Sequence, residues 1–363
     1  MKRDVTLMFN EYLETMKSNF EDSINAQQKM LEGIEVFANA KIPAKGISEK
    51  VEVWSMDKVK LYHFVPKVKK TNSIPTLISY ALVNKYYMMD LQEGKSFIGG
   101  LLEQGIDLYV LDWGYPTKDD LYLTLEDYIL GYIDGAVDYI REETGNDKIN
   151  LLGVCQGGTF SVIYNALRPE KVKNLITMVV PIDFSTDDKL LFKWGKYLNI
   201  DTMVDAYGVL PGDFMNNGFL MLQPISLTTN KYLDLIDDVD DQDKINNFLT
   251  MEKWIFDSPG QAGEAIRQFI NDLYKENKLI KGTLKIGEEI VDMKRIENPL
   301  LNIYAKKDHQ VPNNSSEPLP KYVASKDTHN ELVDTGHIGL FVSGKSLKIT
   351  IPLISNWLKE RDQ

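Results

Sequence analysis

The amino-acid sequence predicts an α/β fold, in which a mostly parallel sheet has helices on both faces and carries an inserted helical cap. Strand-like and helix-like segments alternate from residue 71 to 183, a pattern typical of parallel sheets. From 184 to 295 the alternation gives way to helical, aromatic-rich sequence, and strand signals then return. A glycine-flanked turn at 153–157 joins a buried strand to a helix. We therefore expect an N-terminal helical segment and hairpin over 1–70, a core over 71–183 and 296–363, and a cap over 184–295.

The first region is a charged, helix-prone segment followed by a hairpin. Residues 12–37 favour a helix, and its apolar positions recur every four residues, which places them on one helical face. This stripe either packs on the chain's own body or contacts a partner, and the spacing leaves both open. An alternating segment then turns at Asp57-Lys58, which predicts a β-hairpin. The stripe consists of Tyr12, Met16, Phe20 and Ile24.

The predicted core is an alternation of strands and helices. Apolar runs indicate strands at 74–83, 107–112, 175–180 and, after the cap, 300–305. Longer mixed segments indicate helices at 95–104 and 123–143. The predicted cap over 184–295 is rich in aromatic residues. These serve either as a lid that excludes water or as the packing of a small helical core. These aromatic residues include Trp254, Phe256, Phe269 and Tyr274.

The single cysteine of the chain lies in a G-x-C-x-G pattern at 153–157. An apolar run at 149–152 predicts the strand before it, and 158–167 predicts the helix after it. A nucleophile on such a strand-to-helix turn adopts strained backbone angles, and flanking glycines allow strand and helix to approach closely. Cysteine in place of the more usual serine favours thioester chemistry. The alternative is a chance pattern around a small buried thiol.

Two further residues complete a candidate catalytic triad. Asp308 follows the strand-like run at 300–305, and His337 lies between glycines after a second strand-like segment at 331–333. The chain order of nucleophile, acid and histidine is that of the α/β-hydrolase fold. A solvated turn acid and a packing histidine are the alternatives. Both candidates follow strands in the expected order, which favours the catalytic interpretation.

The other three histidines are weaker candidates for a base. His63 alternates within the predicted hairpin, which indicates a structural role. His329 lies on a predicted polar loop without a role in the chemistry. His309 adjoins Asp308, and adjacent side chains usually point apart, so we expect it to contact substrate and not to act as the base.

Composition narrows the class of protein. The chain has 363 residues and a formal net charge of −12, which argues against binding a nucleic-acid backbone. One cysteine excludes an intramolecular disulfide. The first residues are basic at only two positions and lack a long apolar stretch, which predicts neither a signal peptide nor a transmembrane segment. We expect a cytoplasmic location.

Several long motifs resemble the catalytic subunit of polyhydroxyalkanoate synthases. The resemblance runs from about residue 50 to the C-terminus and is greatest to the class III enzymes, which work with a separate non-catalytic subunit. The chain departs from the family pattern at Gln310, where many relatives have an aliphatic residue. This difference affects the packing of the loop more than the chemistry. The motifs lie at 80–91, 111–116, 153–158, 252–259 and 307–312.

This resemblance implies polymerisation of (R)-3-hydroxyacyl-CoA, with a short-chain monomer such as 3-hydroxybutyryl-CoA, into polyester at the surface of cytoplasmic granules. Cys155 then carries the acyl chain, His337 is the base, and Asp308 orients that histidine or activates the substrate hydroxyl through it. Coenzyme A is part of the substrate and leaves as product, so no cofactor and no metal is expected. The expected partners are the second subunit and further copies of this chain.

The chemistry requires further groups around the thiol. An ordinary thiol, with a pKa of about 8.5, is mostly protonated at neutral pH and needs His337 to take its proton. The fold supplies an oxyanion donor from the backbone N–H of Gln156, after the nucleophile, and we expect Val83 to supply the second. Asn84 is the next choice for that donor and a candidate substrate contact, together with His309.

A single cysteine also limits the mechanism. A growing chain cannot pass between two thiols of one subunit, so we expect one thiol per working site. Two other functions stay open. A cysteine-dependent hydrolase or acyl-CoA thioesterase would use water in place of the monomer hydroxyl and release free hydroxy acid. A non-enzymatic granule protein would not need the candidate triad.

Overall fold

A central eight-stranded sheet organises the larger of two compact units. The structure, a computed structural model, describes residues 14, 17, 46–186, 188–230 and 241–362. The larger unit comprises Ala44–Leu222 and Trp254–Gln363, and the smaller includes Gln223–Lys253. The apolar stripe lies outside the described residues, as does the predicted N-terminal helix apart from residues 14 and 17, which are helical. No helix in the described ranges is both long and apolar enough to cross a membrane.

The sheet is parallel apart from the hairpin at one edge. Its order is β1-β2-β4-β3-β5-β6-β11-β12, and β1, β2 and β4 are joined by antiparallel pairs, whereas every pair from β4 to β12 is parallel. Parallel strands bring their carboxyl ends to one edge, where the sequence places its candidate residues. The strands are β1 Lys50–Met56, β2 Val59–Phe64, β3 Thr76–Ser79, β4 Leu108–Asp112, β5 Ile149–Val154, β6 Val172–Met178, β7 Val209–Leu210, β8 Gln261–Ala262, β9 Lys285–Ile286, β10 Glu289–Ile290, β11 Leu300–Ala305 and β12 Thr328–Val333.

Helices flank the sheet and fill the interval between β6 and β11, where the described residues add no strand to the main sheet. The α-helices are α1 Phe97–Glu103, α2 Asp134–Thr144, α3 Gln156–Leu167, α4 Leu190–Tyr197, α5 Ile200–Tyr207, α6 Gly212–Leu220, α7 Gln242–Ile255, α8 Gly263–Gln268, α9 Lys278–Lys281, α10 Asn313–Ser316, α11 Leu319–Tyr322, α12 Gly339–Val342 and α13 Gly344–Glu360. The 3-10 helices are Tyr86–Met89, Lys118–Asp120, Pro169–Lys171 and Met293–Arg295, and the π-helices are Asp127–Ile133, Ile225–Asn230 and Phe269–Lys275.

This architecture confirms the predicted α/β fold with a mostly parallel sheet. The hairpin turns at Asp57-Lys58 as expected, with Asp57 at a φ of 52°. His63 has the structural role predicted for it, because its Nε2 lies 2.8 Å from Oδ1 of the buried Asp107 and its ring stacks on Tyr109. The pair ties the hairpin to the start of β4. The exact domain boundaries stay a prediction.

Several elements differ from the sequence-based expectations. The strand expected over 74–83 is shorter, Thr76–Ser79, and the one expected over 175–180 lies at Val172–Met178. The helix after the nucleophile begins at Gln156 and not at residue 158, because the chain enters helical geometry directly after Cys155. The long helix expected over 123–143 begins with a π-helical segment. The loop predicted at His329 was wrong, since this residue lies in edge strand β12, exposed and beside Glu331. An edge strand with a solvated face has a polar sequence like that of a loop.

The predicted cap contains a packed aromatic cluster. Phe184, Phe192, Phe269 and Tyr274 are buried, and the Tyr274 ring lies 4.8 Å from that of Phe184 and 5.2 Å from that of Phe192. Gly195 of α4 makes room for this ring, because a Cβ at Gly195 would lie 2.2 Å from a Tyr274 ring carbon. Phe256 is 57% exposed, so it belongs to neither a sealed lid nor a core.

The turn around the cysteine depends on close backbone packing. A Cβ at Gly157 would lie 2.4 Å from the carbonyl carbon and oxygen of Tyr80, at the end of β3. A Cβ at Gly153 would lie 2.5 Å from the Cα of Gly158. These glycines therefore allow the contact between helix and strands that the sequence predicted for the elbow.

We predict that Gly157→Ala lowers the free energy of unfolding by about 3 kcal/mol, because backbone atoms of Tyr80 cannot move aside as a flexible side chain would. Urea unfolding followed by circular dichroism measures the change. Gly131→Ala is the matched control, since nothing lies within 4 Å of its added Cβ. A Gly157→Ala protein as stable as the control would contradict the packing argument.

Candidate active site

The candidate nucleophile lies at the carboxyl edge of the sheet, between β5 and α3. Cys155 has a φ of 52° and a ψ of −126°, a conformation that costs free energy in any residue other than glycine. Its N–H donates to the carbonyl of Met178 on β6 (2.9 Å), and its own carbonyl accepts from the N–H of Gly158 (2.8 Å). These bonds hold the strained turn in place and direct the start of the helix towards the thiol, where its dipole favours negative charge.

Asp308 and His337 meet beside this turn. Oδ2 of Asp308 lies 2.7 Å from Nδ1 of His337, and both side chains are buried. Oδ1 of Asp308 accepts from the N–H groups of Gln310 (2.8 Å) and Val311 (2.9 Å). The carboxylate is thus oriented by its own loop through backbone atoms. The unusual side chain at Gln310 leaves this contact unchanged.

The charge on His337 is set by burial and by two acidic neighbours. Burial opposes the charged imidazolium, but the carboxylate of Asp308 and the thiolate form of Cys155 outweigh it and raise the pKa of His337. With Nδ1 engaged by Asp308, the other ring nitrogen, Nε2, is the atom available to exchange a proton with the thiol. The arrangement can support an imidazolium–thiolate pair.

Because the pKa of His337 is raised, the free energy of unfolding should depend on pH. An unfolded histidine has a pKa of about 6.5, so the bonds to protonated His337 stabilise the folded state fully below that pH and are lost as pH rises through the folded-state pKa. We therefore expect wild-type protein to exceed His337→Gln in free energy of unfolding by more at pH 6 than at pH 9. Denaturant titrations at both pH values measure the gap. A gap that widens with pH would contradict this assignment of charge.

Backbone N–H groups near the thiol differ in whether they are already bonded. The N–H of Gln156 begins α3 and has no acceptor within the helix. In the loop after β3, Leu82 N–H donates to Oε1 of Gln156 (3.0 Å) and Asn84 N–H donates to the carbonyl of Ala81 (3.0 Å). Val83 N–H donates no hydrogen bond within the described ranges. Val83 is therefore a better candidate donor than Asn84, as the sequence analysis ranked them.

Two more side chains surround the candidate triad. His309 lies near His337, and burial together with that like-charged neighbour lowers its pKa. A neutral His309 can offer either a donor or an acceptor to a substrate. Burial and, to a smaller extent, the charge of Cys155 raise the pKa of Tyr274, so this cap residue lies within electrostatic range of the thiol. Sequence patterns placed Tyr274 in the cap but did not connect it to Cys155.

The described residues contain no group of three or more histidine, cysteine, aspartate or glutamate side chains arranged to hold a metal ion. The catalytic roles of Cys155, Asp308 and His337 and the binding roles of Val83, Asn84, Gln156 and His309 stay predictions, now with the geometry given above.

Comparison with known proteins first defines the class. The family model described as alpha/beta hydrolase fold matches residues 86–343, and the one described as Poly-beta-hydroxybutyrate polymerase (PhaC) N-terminus matches residues 43–100. An esterase structure from Thermogutta terrifontis has a TM-score of 0.52 at 12% identity, covering 87% of this chain and 100% of that one. This likeness concerns the fold alone. The class is thus that of α/β-hydrolase-fold enzymes.

Sequence relatives define the family. The poly(3-hydroxyalkanoate) polymerase subunit PhaC of Allochromatium vinosum is 49% identical, with 94% of this chain and 97% of the relative covered. The protein of the same name from Synechocystis is 47% identical, with 95% and 94% covered. This chain belongs to the poly(3-hydroxyalkanoate) polymerase family.

Proposed function

We propose that this chain is the catalytic subunit of a polyhydroxyalkanoate synthase, which polymerises (R)-3-hydroxyacyl-CoA and releases coenzyme A through a thioester on Cys155. The observation that carries the proposal is the buried contact of 2.7 Å between Asp308 and His337, beside a strained cysteine on the turn into α3. The relationship to polymerase subunits of similar length supports the choice of polymerisation over other reactions of this fold.

In the first step, the Cys155 sulfur attacks the thioester carbonyl of the substrate while His337 holds the thiol proton. The resulting oxyanion accepts hydrogen bonds from the N–H groups of Gln156 and Val83. When the intermediate collapses, the bond to the coenzyme A sulfur breaks, and that sulfur leaves with the proton from His337. One thioester has replaced another, so the step is close to balanced in free energy.

In the second step, the hydroxyl of the next monomer attacks the Cys155 thioester. A hydroxyl is a far weaker acid than a thiol, so this step depends more on the base. His337 takes the hydroxyl proton and the carboxylate of Asp308 stabilises the imidazolium that forms. The bond between the acyl carbon and the Cys155 sulfur then breaks, His337 returns the proton to that sulfur, and the chain leaves as a coenzyme A thioester that is longer by one monomer. This thioester acylates Cys155 again, which releases coenzyme A. Asn84 and His309 are the proposed contacts to the substrate.

Water must be kept from the thioester, because hydrolysis would end each chain as free acid. The buried aromatic cluster supports such exclusion, since Tyr274, which interacts electrostatically with Cys155, packs against Phe184. One cysteine in the chain favours one thiol per working site. No cofactor beyond the coenzyme A of the substrate is proposed.

The remaining parts of the proposal concern the monomer and the setting. We propose short-chain substrates such as 3-hydroxybutyryl-CoA, a cytoplasmic location at the surface of polyester granules, and assembly with copies of itself and with a second non-catalytic subunit. The relatives are named as polymerase subunits, which supports assembly with a further subunit.

The decisive test is incubation with 3-hydroxybutyryl-CoA while thiol release and turbidity are followed together. A synthase releases coenzyme A and forms insoluble polyester. Release of coenzyme A with free 3-hydroxybutyrate and no polymer would instead identify a thioesterase, and no release at all would favour a non-enzymatic granule protein.

We predict that the purified chain alone has weak activity with a long lag, and that co-expression with its cognate second subunit raises activity and shortens the lag. A polyester synthase must hold a growing apolar product, and the chain is acidic overall. Progress curves of coenzyme A release measure both quantities. Full activity without a lag from the chain alone would refute the partner requirement and leave the Cys155 chemistry untouched.

A further inference from the structure

Three side chains form a clasp between the cap and the loop that carries the second oxyanion donor. Asp257, in the turn after α7, accepts a hydrogen bond from the Tyr87 hydroxyl (2.6 Å) and is ion-paired with Lys85. The Lys85 side chain is 11% exposed there, compared with 43% for Lys58 in a surface ion pair. Its ammonium also lies 4.3 Å from the ring centroid of Tyr115. The clasp of Lys85, Tyr87 and Asp257 is therefore enclosed, and enclosed pairs hold their geometry better than solvated ones.

The cap side of the clasp is fixed by its own contacts. Nδ2 of Asn216, on α6, donates to the carbonyl of Ile255 (2.5 Å), and the Ser258 hydroxyl donates to Oδ1 of Asn216 (2.9 Å). A Cβ at Gly212 would lie 2.1 Å from the carbonyl oxygen of Ser258, so α6 packs directly against this turn. These contacts fix the backbone on both sides of Asp257, so the position of its carboxylate is restricted.

The loop side is anchored at both ends and reaches the cap in the middle. At its start, Leu82 N–H donates to the side chain of Gln156, and at its end the buried Asp90 accepts from the hydroxyls of Ser48 (2.9 Å) and Ser96 (2.5 Å). Between these anchors, Lys85 and Tyr87 form the clasp. Val83 lies between the first anchor and the clasp, so the clasp limits how far its N–H can move.

We propose that the clasp holds the Val83 N–H in the oxyanion hole, which makes Asp257 of the cap a positioning residue for acylation of Cys155. Asp257 itself does not touch the reacting atoms. The inference rests on the proposed function, because it requires Cys155 to be acylated with Val83 as a donor. Loss of a whole oxyanion donor slows a reaction by roughly 10²–10³-fold, and a donor that is loosened but present loses part of that.

The test compares two reactions of the same thiol in Asp257→Ala and Tyr87→Phe. Acylation by 3-hydroxybutyryl-CoA, measured as first-turnover coenzyme A release, passes through an oxyanion. Alkylation by iodoacetamide joins carbon to the Cys155 sulfur as iodide leaves, and it forms no oxyanion. We expect acylation to slow by about tenfold in Asp257→Ala and by less in Tyr87→Phe, whereas alkylation stays within about twofold of wild type.

Asp205→Ala is the matched control, because Asp205 pairs with Arg267 (2.7 Å) on an exposed part of the cap and does not contact the loop. Both of its rates should match wild type. Asp257→Glu should restore part of the acylation rate, since it keeps the charge. Tyr87→Phe removes only a hydroxyl group. It therefore tests the clasp even if Asp257→Ala does not fold.

Each outcome decides the question. Wild-type acylation in Asp257→Ala and Tyr87→Phe would overturn the positioning role. If alkylation slows as much as acylation, the substitution acts on the thiolate or on access of reagents to Cys155. If alkylation becomes faster, the cap has opened. Either result would also overturn the positioning role. Absence of acylation in wild-type protein would instead refute the proposed function.

Discussion

Cys155→Ala is expected to abolish coenzyme A release, with a loss of roughly 10⁴-fold or more, because the chain contains no second cysteine to form the thioester. Cys155→Ser should retain at most about 1% of the rate, since serine keeps the shape but its hydroxyl is a far weaker acid that the same base activates poorly. Thiol release from 3-hydroxybutyryl-CoA measures both variants, and mass spectrometry should find the acyl adduct on wild-type protein alone.

Thermal unfolding provides the control for this experiment. Cys155 is only half-buried, so neither substitution should lower the melting temperature enough to account for lost activity. A serine variant with turnover near that of wild type would refute the covalent thioester on Cys155, even if the protein is a polymerase.

His337→Gln and Asp308→Asn are expected to fail at different steps. His337→Gln should slow both acylation and elongation by roughly 10²–10⁴-fold, because it removes the proposed base of both steps. Asp308→Asn should slow acylation by less than about tenfold, since a neutral imidazole can deprotonate a thiol, but should slow elongation by about 10²-fold, since the hydroxyl is the weaker acid. This variant should therefore accumulate acyl-enzyme. Rapid quench separates the two steps.

Matched substitutions outside the site keep this comparison specific. His329→Gln removes an exposed histidine paired with Glu331, and Asp334→Asn removes an exposed carboxylate paired with Lys307. Both should leave acylation and elongation unchanged. Equal losses of the two steps in His337→Gln and Asp308→Asn would contradict the division of roles, because it would show that the pair acts as one unit from the start.

Local patterns in the chain were sufficient to predict the frame of the site. The apolar run before Cys155, the glycines around it and the strand before Asp308 are all short-range signals, and the observed strands β5 and β11 agree with them. Strand β12, which precedes His337, was the weaker prediction, because its residues are mostly exposed and polar. A strand buried on both faces has a clear apolar sequence, whereas a solvated edge strand does not.

The sequence alone determined the class of fold, the order of the candidate nucleophile, acid and base along the chain, and the choice of a thiol as the candidate nucleophile, because each depends on residue type and on short spacing. Only the tertiary structure showed that Asp308 contacts His337, that the Val83 N–H donates no hydrogen bond within the described residues, and that a clasp involving Asp257 adjoins the same loop. Lys85 and Asp257 are 172 positions apart, and no local pattern encodes which distant groups meet. Such contacts follow from how the sheet and the helices pack, which is a property of the whole chain.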